Sequence, residues 1–396
     1  MQRTRFIIFL KDVFLLAITA VGGPHAHIPL FIKKLVNERR YITEEEFVEL
    51  NALCQILPGP TSTQTITAIG YKIGKAELAY LTLLVWALPS LILMTSAAIV
   101  VTYFTNNQID MPFIKFVPAM AVAFVAYAAW AISSKVVSTN IGIFLMIISS
   151  VVGFFFRSPY VTPLILLAGG LATTYKYNQF PKEEKEEKLD VFWANFILFV
   201  GVFVATFILG LLVDYKPVKM GIKLFESFYR NGSLIFGGGQ VLIPLLHTEY
   251  VELKKYVTSS EFLTGYALVQ AVPGPVFSFS SYLGAISMKE YGIAGQIIGS
   301  LLSTAGIFLP GAFLIFFVYR IWGGLKKYRF IKASLEGINA VSSGLVIGVA
   351  VFLFQSVEIS IANCIIMGIT FIALLSQKVP SHIIVPLGLL AGWLIS

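Results

Sequence analysis

The chain has 396 residues, of which 57% are hydrophobic and 13% charged, with a formal net charge of +8 and a mean hydropathy of +0.81. A soluble domain carries about a quarter charged residues, so this composition excludes an aqueous globular fold. The positive charge is modest and scattered over short loops; it reads as membrane orientation charge and excludes a nucleic-acid surface.

Met1-Gln2-Arg3-Thr4-Arg5 precedes an apolar stretch that mimics a signal peptide. No small-residue cleavage site follows, and Lys11-Asp12 interrupts the run, so a first membrane segment is expected there. Residues 76–104, 112–132, 191–213 and 292–319 are apolar runs that meet the roughly 20 residues a spanning helix needs. Such runs lack period-2 alternation, which predicts helices and not an outer-membrane barrel. The only cysteines, Cys54 and Cys364, are too few for a disulfide framework and read as free core thiols.

Sliding the chain on itself exposes an internal repeat. At an offset of 215, residues 22–60 match residues 237–275 at 16 of 39 positions without a gap. The matches include Tyr41, Thr43, Glu46 and Phe47 on Tyr256, Thr258, Glu261 and Phe262, and Gln55 on Gln270. Further on, Leu88-Pro89 falls on Leu309-Pro310 after about six extra residues. Each copy follows one plan: an apolar segment ending in Gly-Gly, a charged connection, a helix broken by Pro-Gly-Pro, a long helix with Leu-Pro, and three more spans. The expected organisation is a first repeat at 1–175, a charged linker and unpaired helix at 176–215, and a second repeat at 216–396. The linker holds Lys-Glu-Glu-Lys-Glu-Glu-Lys and is expected in the cytoplasm. An unpaired helix between repeats inverts the second one. The fold class is therefore an all-α polytopic membrane protein of two homologous, inverted halves.

Pro58-Gly59-Pro60 and Pro273-Gly274-Pro275 are the sharpest local signals. Proline lacks an N–H and clashes with the preceding turn, so each triplet breaks its helix. In hydrocarbon such a break is tolerated where it lines a cavity, and transporters bind substrates at discontinuous helices. The helix restarting with Thr61-Ser62-Thr63-Gln64 offers N–H groups, a positive dipole end and side-chain donors to an anion. The bland alternative is a packing kink with hydroxyls bonded back to the helix. The second terminus, with Ser278 among apolar residues, is poorer in side-chain donors. The first half is therefore expected to hold the substrate more tightly.

Gly22-Gly23-Pro24-His25-Ala26-His27 and Gly237-Gly238-Gly239-Gln240 form a second recurring break. It reads as a glycine turn near the substrate or, alternatively, as a close helix crossing. The i, i+2 spacing of His25 and His27 suits no familiar metal site, and His247 and His382 add no pattern, so no metal or cofactor is expected. Lys219, Lys223, Glu226 and Arg230 share one helical face. Arg230 is expected to face the cavity, although a Glu226–Arg230 pair is the alternative. Thr43…Glu46 and Thr258…Glu261 are capping boxes.

Together these motifs resemble the chromate ion transporter family in its two-domain form. The resemblance rests on Gly22-Gly23-Pro24-His25-Ala26-His27-Ile28 and Leu57-Pro58-Gly59-Pro60-Thr61-Ser62-Thr63-Gln64, with Phe236-Gly237-Gly238-Gly239, Val241, Pro244 and Val272-Pro273-Gly274-Pro275 in the second half. It covers nearly the whole chain. It implies chromate efflux across the inner membrane, driven by the proton or membrane potential, with sulfate as a related oxyanion.

The residues expected to bind it are Gly22, Gly23, His25, Gln55, Pro58, Gly59, Pro60, Thr61, Ser62, Thr63, Gln64 and Arg230. Their second-half companions are Gly237, Gly238, Gly239, Gln240, Gln270, Pro273, Gly274, Pro275 and Ser278. Two helix N-termini supply roughly half a charge each. The remaining charge of a dianion falls to Arg230, a protonated histidine or water. The partners expected are the oxyanion and the lipid bilayer, with a homodimer left open. Competing readings are an anion channel and a membrane phosphatase of lipid pyrophosphates. The phosphatase needs an arginine and acids at its phosphate, and residues 58–71 and 273–288 contain neither. An enzyme is therefore not expected.

Overall fold

A computed structural model describes residues 2–109, 111–136, 139–156, 161–175, 193–235, 239–325, 329–355 and 357–395. Among them every regular element is helical. The first copy comprises α1 (Gln2–Thr19), α2 (Pro24–Phe31) continued by a π segment (Ile32–Glu38), α3 (Glu44–Ile56), α4 (Thr61–Asn106), α5 (Val117–Val136), α6 (Asn140–Phe155) and α7 (Val161–Thr173). Then comes α8 (Ala194–Leu212). The second copy comprises α9 (Lys216–Leu234), α10 (Gly239–His247) with its own π segment (Thr248–Leu253), α11 (Ser259–Ala271), α12 (Phe279–Ser287), α13 (Gly292–Leu325), α14 (Arg329–Gln355), α15 (Ile361–Ser376) and α16 (Ser381–Leu394).

The repeat read from sequence is a repeat of structure. The 215-residue offset carries α2 onto the start of α10 and both ends of α3 onto those of α11. It also carries Arg40 (φ 52°) onto Lys255 (φ 54°), the two left-handed residues that end the π segments. Beyond the six-residue insertion, α6 falls on α15 and α7 on α16, while α8 has no counterpart. Both capping boxes form: Glu46 N donates to Thr43 Oγ1 and Thr43 N to Glu46 Oε2, and the same bonds join Glu261 and Thr258.

Among the described residues five helices are long and apolar enough to cross a membrane. Four of them overlap the four apolar runs, but the first run does not stand alone: α4 begins at Thr61 and is bent at Gly74-Lys75, where the dihedrals leave the helical region. In the second copy the same bend is a full break, with a 3₁₀ turn (Lys289–Tyr291) and Gly292 at φ 69° between α12 and α13. The linker from 176 to 192 lies outside the described residues.

The described chain forms two compact units, and each draws on both copies. One holds residues 1–111, 192–234 and 268–319. In it α4 packs against α1, α3 and α12, and α9 against α8. α9 also meets α13 closely, because a Cβ on Gly232 would lie 2.6 Å from the Ile307 carbonyl oxygen. Polar side chains join α4 to α13: Gln296 Nε2 donates to Thr102 Oγ1 at 2.8 Å, and Thr95 bonds Ser300. Asp12, which interrupts the first apolar run, is buried on α1. It is held by Arg39 Nε at 2.9 Å and by the Tyr41 hydroxyl at 2.7 Å, the kind of pairing a buried carboxylate requires.

The other unit holds residues 112–191, 235–267 and 320–396. Here α14 packs against α5, α6 and α7, around Leu166, Val341 and Leu345. Gly337, Gly344 and Gly348 let it approach: a Cβ on any of them would collide with backbone atoms of Gly169, Met146 or Ser150 respectively. Small residues at helix crossings are the usual device inside membranes, where no hydrophobic force distinguishes one apolar surface from another.

Candidate functional site

Both Pro-Gly-Pro breaks fall in the first unit. At the first, α3 ends at Ile56 and α4 starts at Thr61. Gly59 carries the turn at φ 122°, a region closed to other residues. The α4 ladder opens with Gln64 N donating to Pro60 O at 2.8 Å. The amides of Thr61, Ser62 and Thr63 therefore precede the ladder and face the break. At the second, α11 ends at Ala271, Gly274 takes φ 99°, and a 3₁₀ turn (Val276–Ser278) leads into α12.

The two breaks are bound to the opposite copy in a reciprocal way. Gly59 lies beside Gly311, the residue after Leu309-Pro310: a Cβ on Gly59 would be 3.7 Å from the Gly311 Cα. Gly274 lies beside Ser90, the residue after Leu88-Pro89, 3.1 Å from its hydroxyl by the same measure. Ser90 Oγ is also 2.5 Å from Ser278 Oγ. Gly274 N donates to Ala20 O at the end of α1 (2.8 Å), and Gly23 lies against Val276. The Gly22-Gly23 turn, with φ of 104° and 71°, thus borders the second break.

The side chains after Pro60 are buried and largely engaged. Ser62 Oγ is 3.0 Å from His27 Nδ1. Thr63 Oγ1 accepts from Trp86 Nε1 at 3.1 Å. Thr65 bonds back to the Thr61 carbonyl at 2.8 Å. Gln64 Nε2 donates to Pro58 O at 2.7 Å, clamping the loop, while its Oε1 is buried without a hydrogen bond. The bland alternative, hydroxyls bonded back to the helix, thus describes Thr65, whereas Ser62 turns toward another element. Phe277 and Phe279, which follow the second break, are buried.

The other expected site residues differ in burial and in the elements that carry them. Gln270 is buried but Gln55 is exposed. Arg230 is ion-paired with Glu226 at 3.3 Å. Gly239 starts α10, in the second unit. Gly237 and Gly238 lie outside the described residues, as do the side chains of His25 and Gln240.

His27, left out of the expected binding residues, is fully buried and in contact with the start of α4. A signal for it existed. His27 and Phe31 are four apart on α2 and both pack on Trp86, with ring centroids 5.2 Å away in each case; their spacing marks the inward face.

Comparison with known proteins agrees with the duplicated architecture. The profile of the chromate transporter family matches residues 7–174 and again 222–393. An uncharacterized transporter of Methanocaldococcus jannaschii is 26% identical over 394 residues, covering 98% of this chain and 93% of its own. A chromate transport protein of Pseudomonas aeruginosa is 26% identical over 389 residues, covering 95% and 89%. An uncharacterized transporter of Bacillus subtilis is 27% identical over 165 residues, 37% of this chain but 82% of the relative. No solved structure matches. With its apolar helices and two matched halves, the chain is a multi-pass membrane protein that transports ions and is not an enzyme; it belongs to the chromate transporter family.

Proposed function

We propose that this transporter moves a tetrahedral oxyanion dianion, chromate first with sulfate as a related substrate, out across the inner membrane as a secondary active carrier. The binding site is assigned to the two Pro-Gly-Pro breaks. The observation that carries this reading is the reciprocal packing of the breaks against opposite Leu-Pro segments, with the free amides of a helix start at one of them. No acidic side chain occurs in residues 58–71 or 273–288 to repel an anion. Backbone donors at a helix terminus favour negative charge and are fixed before the ligand arrives. Such donors recognise the oxygens of a tetrahedron more than its central atom.

The test is initial-rate flux of radiolabelled chromate in proteoliposomes with an imposed proton gradient or potential. Chromate uptake should saturate, sulfate or molybdate should compete, and chloride should compete poorly. Equal inhibition by chloride and sulfate counts against a shaped oxyanion site. Ohmic conductance without coupling to either gradient would make the protein a channel.

A further inference from the structure

His27 sits at the start of α4 in an otherwise uncharged setting. Its ring is fully buried, Nδ1 is 3.0 Å from Ser62 Oγ, and Nε2 makes no hydrogen bond. The ring lies within reach of the Ala20 carbonyl, which also accepts the Gly274 amide of the second break. Phe31 and Trp86 pack on the ring. Several charged groups on the neighbouring elements are engaged elsewhere: Asp12 with Arg39, Lys34 with Glu38, and Lys72 with Glu46.

An imidazole so placed has two states with opposite consequences. When it is neutral with its proton on Nε2, the Nδ1 lone pair faces the Ser62 hydroxyl. Nδ1 then accepts the Ser62 hydroxyl hydrogen, which is thereby withheld from any ligand. When the ring takes a proton from water, Nδ1–H donates to Ser62 Oγ, and the hydroxyl hydrogen has to turn away from the ring. It then joins the amides of Thr61, Ser62 and Thr63 as a donor. The same proton brings a positive charge to a helix start whose side chains carry none.

We propose that His27 is a positioning residue that couples proton binding to oxyanion binding by switching the Ser62 hydroxyl from the ring to the anion. The proposal deepens the oxyanion reading and rests on it. Linkage fixes the sign: if the proton tightens the anion, the anion tightens the proton by the same factor. Anion affinity is then full below the titration of the ring and falls as pH rises through it, by up to about tenfold per pH unit for one coupled proton.

The experiment compares wild type, His27→Asn and Ser62→Ala in proteoliposomes, measuring the chromate half-saturation concentration across pH. The anion's own protonation is common to all three, so the differences between curves decide. Asparagine keeps an N–H for Ser62 but cannot titrate. His27→Asn should flatten the curve relative to wild type while retaining chromate affinity at high pH. Ser62→Ala should bind chromate roughly tenfold more weakly at low pH, with a shallower dependence. Parallel curves for wild type and His27→Asn overturn the assignment while leaving the oxyanion reading intact. Should His27→Asn not fold, a Ser62→Ala curve as steep as wild type overturns it instead. No saturable chromate flux by wild type at any pH removes the oxyanion reading, and this inference with it.

Discussion

Lys75 and Gly292 occupy the same bend in the two copies, with φ, ψ of 56°, −155° and 69°, −169°. This region is essentially reserved for glycine, and another residue there costs on the order of 1–3 kcal/mol. The first copy therefore stores strain that the second does not. Nothing lies within 4 Å of a Cβ built on Gly292, so Gly292→Ala tests the backbone alone. It should lower stability by about 1–2 kcal/mol. Lys75→Gly should raise stability by up to about 2 kcal/mol, once glycine's extra unfolded-state entropy is deducted. Thermal unfolding in detergent measures both; a stabilising Gly292→Ala would show that the bend is not strained. At this scale the sequence was legible where backbone chemistry dictates structure, as at Gly59 and Gly274. It was not legible where a side chain's direction decides. Arg230 satisfies the i, i+4 pattern equally well facing a cavity or pairing with Glu226, and the pattern alone does not announce the Glu226 pair that the structure contains.

At the scale of elements, the repeat made most of the architecture readable, because turn and cap residues recur with fixed spacing. What remained hidden was how the repeats share their packing. Identical plans are compatible with two separate domains or with two units that each draw on both copies, and no local propensity distinguishes these. The copies also diverge at the helix that follows each break. α4 starts with Ser62, Thr63, Gln64 and Thr65, whereas the second copy has Phe277 and Phe279 buried around Ser278. The first terminus should hold the anion and the second should complete and gate the cavity. A hydrogen bond to a charged group is worth about 1.5–3 kcal/mol, so Ser62→Ala should raise the half-saturation concentration roughly tenfold or more at low pH. Gln64→Ala should do likewise by releasing Pro58 and loosening the loop. Phe277→Leu and Phe279→Leu spare the core and should change turnover more than affinity. Initial rates against chromate concentration at matched expression decide it: a larger rise in half-saturation for the phenylalanine pair would move the main site to the second half.

For the whole molecule the open consequence is topology. α8 has no counterpart between copies that otherwise follow one plan. One unmatched crossing in a chain of two like plans reverses the second, and reversal places the two broken helices on opposite approaches to one site, as alternating access requires. The charged connections give the handle. Residues 33–40 are basic, and residues 249–255 are balanced, so the positive-inside rule does not fix both. Each connection ends in a left-handed residue, Arg40 or Lys255, followed by the capped start of α3 or α11, so each should be accessible from a single aqueous side. Cys54 is buried but Cys364 is exposed, and labelling therefore begins from Cys364→Ser. Single cysteines replacing Arg40 and Lys255 should react with a membrane-impermeant maleimide from opposite faces of right-side-out and inverted vesicles. Labelling of both from the same face would establish parallel copies. It would also require the two Pro-Gly-Pro termini to approach the substrate from one side, leaving alternating access without its symmetric basis.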